Sequence, residues 1–273
     1  MRLIKMKSSV TAKRGLCALA IAVALSGCAT QRADGMRTGS IPALSKPVAE
    51  MNSVELAQAA ERIGRDYESN PRNKQAGINY ATLLHMTGKD DQALAVMQKV
   101  TILNPTDSEV LAAYGKAQAA AGQLEQALAS IGRAQTADRP DWRLKSAEGA
   151  ILDQLGRPDE ARARYREALN LAPGEPSVYS NIGISYMLSK DLVSAEKYLR
   201  MAAEKPNADS RIRQNLALAV GLQGRFDEAE QIASHELSPD QAKANIQYLR
   251  SMMAQQNAWK QLSAEANPKP ATN

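Results

Sequence analysis

Apolar residues recur at the helical spacing i, i+3, i+4 between residues 74 and 239, and the pattern repeats every 34 residues. Each interval holds two short amphipathic segments, and some intervals close on a proline, as at Pro105 and Pro173. The stripe on the first segment includes Tyr80, Gly115, Ile151, Ile182 and Leu216. A fixed period of this length predicts stacked helical hairpins, each burying its apolar face against its neighbours. The expected fold class is therefore all-α, a solenoid of about five hairpins.

Two sets of small residues recur at this 34-residue interval with no insertion or deletion between the copies. Glycine suits the left-handed turn that ends the first helix, and it recurs as Gly88, Gly122, Gly156 and Gly224. Alanine suits a close helix crossing five residues later, and it recurs as Ala93, Ala127, Ala161, Ala195 and Ala229. Lys190 replaces the glycine of the fourth copy, which costs about 1 kcal/mol if that turn is left-handed. Ala233 replaces a large apolar residue in the fifth copy, so a looser last hairpin is expected.

The repeated positions resemble the tetratricopeptide repeat (TPR) family. The first copy reads KQAGINYATLLHMTGKDDQALAVMQKVTILNP at residues 74–105, and the third closes with GRPDEARARYREALNLAP at 156–173. The resemblance implies a superhelix that binds proteins on a concave face lined by the first helix of each hairpin. A helix with Ser53 as its N-cap is expected to close the N-terminal end, and a helix from Pro239 to Leu262 the other end.

The first 28 residues have the pattern of a bacterial lipoprotein signal. A basic start precedes the apolar run Leu16–Leu25, which is too short for a stable membrane span. The following Leu25-Ser26-Gly27-Cys28 resembles the lipobox, which implies that Cys28 is lipidated and becomes the new N-terminus. Ala29 rather than aspartate after Cys28 indicates the outer membrane by analogy with enteric-type bacteria. The alternative is an ordinary signal peptide with a chance cysteine.

Four segments are therefore expected. Residues 1–27 form the signal peptide, 28–52 a flexible tether, 53–262 the TPR superhelical domain and 263–273 a disordered tail. The tether is rich in Gly, Pro, Ser and Thr and lacks an apolar period. A flexible chain of that length spans roughly 25 to 30 Å, which lets the folded part stand off the membrane.

Charge and composition exclude several function classes. Residues 1–27 hold five of the 34 basic residues and no acidic one, which leaves 29 basic and 29 acidic residues after cleavage. The mature chain is thus formally neutral, which gives no support for nucleic-acid binding. His85 and His235 are isolated, and no phosphate loop, metal-ligand spacing or catalytic triad stands out. We therefore expect a non-enzymatic binding protein with no catalytic residue, cofactor, metal or small-molecule substrate.

The TPR resemblance indicates which side chains face a partner. Polar groove candidates resemble the Arg/Asn set of carboxylate-clamp TPRs, and they are Asn79, Arg143, Asn181, Arg211 and Asn215. Ala113 and Ala147 interrupt that set in the second and third copies. An apolar inner surface is expected from Ile184, Met187, Leu188, Leu218 and Leu222. The alternative is that several of these apolar residues only pack one hairpin on the next.

Two segments in the C-terminal third resemble a more specific group of TPR proteins. Residues 212–233 (IRQNLALAVGLQGRFDEAEQIA) and 241–262 (QAKANIQYLRSMMAQQNAWKQL) are similar to the TadD-like TPR lipoproteins of the tight-adherence (Flp, type IVc) pilus. That resemblance implies a pilotin-like scaffold, anchored by lipid to the periplasmic face of the outer membrane, that helps a secretin assemble. Tyr248 and Trp259 are further candidate contacts, with cap packing as the alternative. A different candidate function is a lipoprotein scaffold for cell-wall or outer-membrane protein assembly.

We expect Cys28→Ser to yield a soluble or uncleaved protein whose helical array still folds, because the lipid lies far from the apolar core. Detergent-phase partition would report the anchor, and circular dichroism would report the fold. An unfolded Cys28→Ser protein would contradict the assignment of residues 28–52 as a tether.

Overall fold

The computed structural model describes residues 51–136, 138 and 140–266, and of residues 256–266 only the backbone. The expected signal peptide, Cys28, nearly all of the tether and residues 267–273 lie outside this range. The helices of the described part are α1 (Ser53–Ser69), α2 (Lys74–Met86), α3 (Asp90–Leu103), α4 (Ser108–Ala120), α5 (Leu124–Ala134), α6 (Trp142–Gln154), α7 (Pro158–Leu171), α8 (Pro176–Leu188), α9 (Leu192–Ala203), α10 (Ser210–Leu222), α11 (Phe226–Ser234) and α12 (Pro239–Ala266).

Each predicted repeat is one helical hairpin, from α2–α3 through α10–α11, and each hairpin packs on the next. Helix α1 packs against α2 at one end, and α12 packs against α11 and α10 at the other. The all-α solenoid of five hairpins with a helix at each end is confirmed. Within the described residues, no helix combines the length and apolar character needed to cross a membrane.

The turns inside the hairpins take the left-handed conformation that the glycine positions predict. Gly88, Gly122, Gly156 and Gly224 have φ angles of 74°, 77°, 73° and 83°. Lys190 has φ 64°, and among the described residues it is the one non-glycine residue with positive φ. The fourth copy therefore keeps the turn and accepts the strain of a side chain there.

The crossing of the two helices within a hairpin depends on small residues on both sides. The five repeated alanines are all at most 1% exposed, as the close crossing predicts. On the facing helix, a Cβ at Gly149 would lie 2.5 Å from Tyr165 Cε1, and one at Gly183 would lie 2.6 Å from Leu199 Cγ. The close contact between the two helices of a hairpin therefore requires these facing glycines as well as the alanines. Of the glycines at this repeat position, the sequence analysis had placed only Gly115 in the apolar stripe.

Both terminal helices differ in detail from the expectation. The N-cap of α1 is Asn52, not Ser53: its Oδ1 accepts the N–H groups of Val54 and Glu55 at 3.0 Å each. Glu55 Oε2 accepts the Asn52 N–H at 2.8 Å, which completes a reciprocal capping box. Helix α12 continues to Ala266, four residues past the predicted end at 262, because no helix breaker precedes the Asn-Pro pair at 267–268.

The last hairpin is the shortest, and its two helices are in less extensive contact than those of any other hairpin. Helix α11 has 9 residues, fewer than any other described helix. Ala233 is buried together with Ala217 and with Ala242 of α12. A larger residue at 233 would hold α12 away, so the small side chain lets the capping helix approach. The looser packing expected within this hairpin fits its less extensive internal contact, and the sequence analysis left out only the contact of Ala233 with α12.

We expect Ala161→Leu to lower the free energy of unfolding by about 1–3 kcal/mol, because overpacking at a close crossing forces the helices apart. Ala161 is 0% exposed. Urea unfolding would measure the change, with Ala244→Leu at an exposed site of α12 as the control. A neutral Ala161→Leu variant would show that the crossing tolerates a larger side chain.

We expect Lys190→Gly to raise the free energy of unfolding by about 1 kcal/mol, because glycine adopts the left-handed turn without strain. The same urea titration applies. Lys190→Ala is the matched control, since it removes the long side chain and keeps the Cβ. If both variants gained equally, the strain of the Cβ would not be the cause.

Candidate functional site

A groove of about 660 Å³ lies on the inner face of the first three repeats. Its walls come from α2, from α4 and from the α5–α6 loop with the start of α6, and Ala93 and Met97 of α3 also line it. Ile78 and Thr82 line it from α2, and Ala112, Ala113 and Lys116 line it from α4. Small residues at 112 and 113 leave the space between neighbouring helices unfilled. Of the two alanines that interrupt the predicted polar set, Ala113 lines the groove and Ala147 does not.

The third wall is the loop between α5 and α6. By the 34-residue interval α5 should end level with Leu103 of α3 and Leu171 of α7, but it ends three residues earlier, at Ala134. The Gln135 side chain closes the loop, since Nε2 donates to the Asp141 carbonyl at 3.2 Å and Oε1 accepts the Asp141 N–H at 3.4 Å. Thr136, Asp138 and Asp141 consequently line the groove.

The groove carries charged groups on an apolar floor. Lys116 makes no ion pair or hydrogen bond with any described residue, whereas the Arg143 guanidinium lies 4.6 Å from the centre of the Trp142 ring. Asp138 likewise pairs with no cation in the part of the chain that the structure describes. At the α2 rim, His85 Nδ1 lies 2.6 Å from Asp90 Oδ1. The groove thus offers one cation and one carboxylate for a ligand's charged groups.

The rim between α2 and α4 is fixed by an ion pair. Lys74 Nζ lies 2.6 Å from Asp107 Oδ2 and 3.2 Å from Glu109 Oε2. The hydrogen bond between them raises the pKa of Lys74 and lowers the pKa of Asp107. Asp107 is also the N-cap of α4, so one carboxylate holds the start of that helix and ties it to α2.

The predicted polar groove residues do not converge on one site. Arg143 lines the groove, and Asn79 accepts a hydrogen bond from Gln75 Nε2 at 3.1 Å on α2. Asn181 donates to Ser146 Oγ at 2.9 Å, which joins α8 to α6. Arg211 is held by Asp209, with its Nη2 2.7 Å from Oδ2. Asn215 is half-buried on α10 and forms no hydrogen bond with a described residue.

The predicted apolar inner surface mainly packs hairpin on hairpin. Met187 is 7% exposed and belongs to the core between the fourth and fifth repeats. Ile184, Leu218 and Leu222 are half-buried against the same cluster, and Leu188 alone of the five is 42% exposed. The alternative of hairpin packing therefore fits four of these residues.

A polar cluster inside the third and fourth repeats was missed by the sequence analysis. Asp153 accepts hydrogen bonds from Ser185 Oγ at 2.7 Å and from Tyr165 Oη at 3.0 Å. Burial raises the pKa of Asp153 despite these bonds. Arg162 donates to Ser185 Oγ at 3.3 Å and lies 4.7 Å from the centre of the Tyr186 ring. The cluster ties α6, α7 and α8 together.

Glu148 is a second buried polar residue, and the sequence carried a signal for it. It is 6% exposed and occupies the repeat position held by Tyr80, Tyr114, Ile182 and Leu216 in the other copies. Its Oε2 lies 3.4 Å from Lys145 Nζ and 3.6 Å from Arg164 Nε. A charged residue at an otherwise apolar position of the period indicates a buried ion pair.

Two family models of the tetratricopeptide repeat match this chain, one at residues 113–176 and one at 154–219. The fold is a tetratricopeptide-repeat solenoid. Superkiller protein 3 of Schizosaccharomyces pombe is 23% identical over 176 residues, which is 63% of this chain but only 13% of that protein's own length. TPR proteins generally act as non-enzymatic scaffolds that bind protein partners, and this chain has the same architecture.

Two solved structures have a similar fold. A tetratricopeptide repeat protein from Parabacteroides merdae is 14% identical with a TM-score of 0.61, covering 72% of this chain and 78% of that one. PilW, described as a widely conserved type IV pilus biogenesis factor, is 17% identical with a TM-score of 0.58, covering 73% and 91%. At these identities the likeness concerns the TPR fold alone.

Proposed function

We propose that this TPR scaffold binds an extended segment of a protein partner in the groove of its first three repeats. The groove itself carries the proposal: it lies on the inner face, its floor is apolar, and Lys116 and Asp138 have charges that no described residue satisfies. An extended segment suits it because a narrow groove between parallel helices accommodates side chains along a single path. The binding contacts are then Ala113, Lys116 and Arg143 rather than the predicted residues of the fourth and fifth repeats.

The partner we propose is the secretin, or another assembly component, of a tight-adherence pilus. Support comes from the TadD-like segments at 212–233 and 241–262 and from the lipobox before the array. PilW combines the same fold with a role in pilus biogenesis, so the fold is compatible with a role in pilus assembly. In this role the protein is a pilotin-like scaffold and catalyses no reaction.

The lipid on Cys28 would hold the scaffold at the periplasmic face of the outer membrane. Acyl chains contribute about 0.8 kcal/mol per buried CH₂, and two or more chains anchor stably where one does not. The anchor precedes Ser53, the first residue of α1, by 25 residues. A pilotin needs this separation, since it must contact a channel while its lipid stays in the membrane.

The test is recovery of partners from detergent-solubilised envelopes with the tagged full-length protein, read by mass spectrometry. Ala113→Glu places a charge on the groove floor, and Ala244→Glu makes the same change at an exposed site of α12. We expect the wild type and Ala244→Glu to recover a secretin or another pilus-assembly protein. With Ala113→Glu, we expect the amount of that partner recovered to fall at least tenfold.

Two results would contradict the proposal in different ways. Equal recovery with both variants would remove the groove as the binding site. Recovery of cell-wall or outer-membrane protein assembly factors instead of pilus proteins would support the second candidate function. The groove would then still be the binding site only if Ala113→Glu abolished the recovery of those factors. Circular dichroism of both variants would establish that each remains folded.

A further inference from the structure

The charged residues that line the groove are divided between its two ends. Because the chain reverses direction twice in each repeat, neighbouring first helices run the same way. Glu109, Asp138 and Asp141 line the end at which α4 and α6 begin, and Lys116 and His85 line the other end. Lys116 follows Glu109 by seven residues of α4 (116 − 109), which is about 10 Å along the helix axis. The groove therefore has an acidic end and a basic end.

At the acidic end, Asp138 is the carboxylate that the described residues leave without a cation. Glu109 Oε2 lies 3.2 Å from Lys74 Nζ, and Asp141 Oδ1 lies 3.8 Å from Arg143 Nη1. Asp141 also caps α6, since its Oδ1 accepts the Arg143 N–H at 2.8 Å. Asp138 is exposed and pairs with no cation in the described part of the chain. A cationic group of a ligand would therefore find an unpaired carboxylate at this end.

At the basic end, Lys116 carries the unpaired cation. His85 Nδ1 lies 2.6 Å from Asp90 Oδ1, whereas Lys116 is half-buried and forms no ion pair or hydrogen bond with a described residue. The other copies have uncharged residues at the repeat position of Lys116, and these are Thr82, Ala150, Ile184 and Leu218. The fold therefore does not require a cation there. A half-buried ammonium group attracts a carboxylate more strongly than an exposed one, because water and salt screen the pair less.

The floor between the two ends is apolar. Ile78, Ala112 and Ala113 line it. An extended peptide advances about 3.3 Å per residue, so two charged residues three positions apart match the distance of about 10 Å between the ends. The residues between those two charges would lie over the apolar floor, where the two alanines leave room for a side chain.

From these observations we infer that the groove selects a partner segment that places a carboxylate at Lys116 and a cation at Asp138, with an apolar residue between them. This selection by charge deepens the proposed function and rests on it, since both use the same groove. The carboxylate is that of an acidic side chain or of a chain terminus, which have the same chemistry. The two opposite charges also fix the direction of the segment, because the reversed orientation would bring like charges together.

Synthetic peptides test this selection by isothermal titration calorimetry with the full-length protein in detergent. Three acetylated and amidated probes share the centre Ala-Val and differ only in the two residues that flank it, which are Asp and Lys, two Asp, or two Lys. We expect the wild type to bind the Asp/Lys probe about tenfold more tightly than either like-charged probe. A fourth probe replaces the Asp of that pair by a free C-terminal carboxylate, and its affinity distinguishes a chain terminus from an acidic side chain as the source.

Charge reversal in the groove should change which probe binds best. We expect Lys116→Glu to move the preference to the Lys/Lys probe and Asp138→Lys to move it to the Asp/Asp probe. Lys243→Glu on α12 and Glu204→Lys at the end of α9 make the same charge changes at exposed sites. These two control variants should keep the preference of the wild type.

Equal affinities of the wild type for the three amidated probes, or no measurable binding of any of them, would overturn the inference. A preference that neither Lys116→Glu nor Asp138→Lys changes would overturn it as well. Partner recovery separates this failure from failure of the proposed function. If Ala113→Glu abolishes recovery while the probes show no charge preference, the groove binds the partner without selecting it by charge. If Ala113→Glu has no effect on recovery, the groove does not bind the partner, and the proposed function is itself wrong.

Discussion

The close approach of two helices inside every hairpin is the contact on which the rest of the structure depends. Ala161 faces the crossing with no exposed surface, and Gly149 on the other helix receives the ring of Tyr165. Since each hairpin buries its apolar face only against its neighbours, a single widened crossing would misalign the hairpins on both sides. This explains why the interval of 34 residues is kept without insertion while other positions vary freely.

The third repeat shows how far the remaining positions can depart from an apolar core. Glu148 is buried between Lys145 and Arg164, and Asp153 is buried with Ser185 and Tyr165. Such groups contribute little net stability when they are paired, but losing one partner leaves a buried charge or dipole that costs several kcal/mol. The centre of the array is therefore joined to the fourth repeat by directional bonds, and apolar packing dominates the contact between the fourth and fifth.

The sequence predicted the fold well because the fold is local. Each repeat has a turn that needs φ > 0 and a helix crossing that needs a small side chain, and both occur at fixed positions of the interval. Each hairpin, and even the strained turn at Lys190, could therefore be predicted from the sequence. The groove could not be predicted in this way. It depends on where α5 ends, which is determined by the Gln135 amide and the Asp141 backbone across a loop. The hydrogen-bond partners of the predicted polar residues could not be predicted for a related reason, since the bond from Asn181 to Ser146 involves two different repeats.

The position of α1 places the N-terminal entry to the folded part beside the groove. Because α1 packs antiparallel to α2, its first residue lies near the end of α2 that forms the groove rim. Any chain that leads from a lipid at Cys28 to Met51 must therefore arrive at the side of the groove rather than at the far end of the solenoid. Under the proposed function, a partner held in the groove would stay close to the point at which the chain enters α1. An anchor attached through α12 would instead place the lipid at the opposite end of the array. The proposed lipid on Cys28 and the proposed binding groove would thus meet the array at the same end, which neither the repeats nor the resemblance to a lipobox would indicate separately.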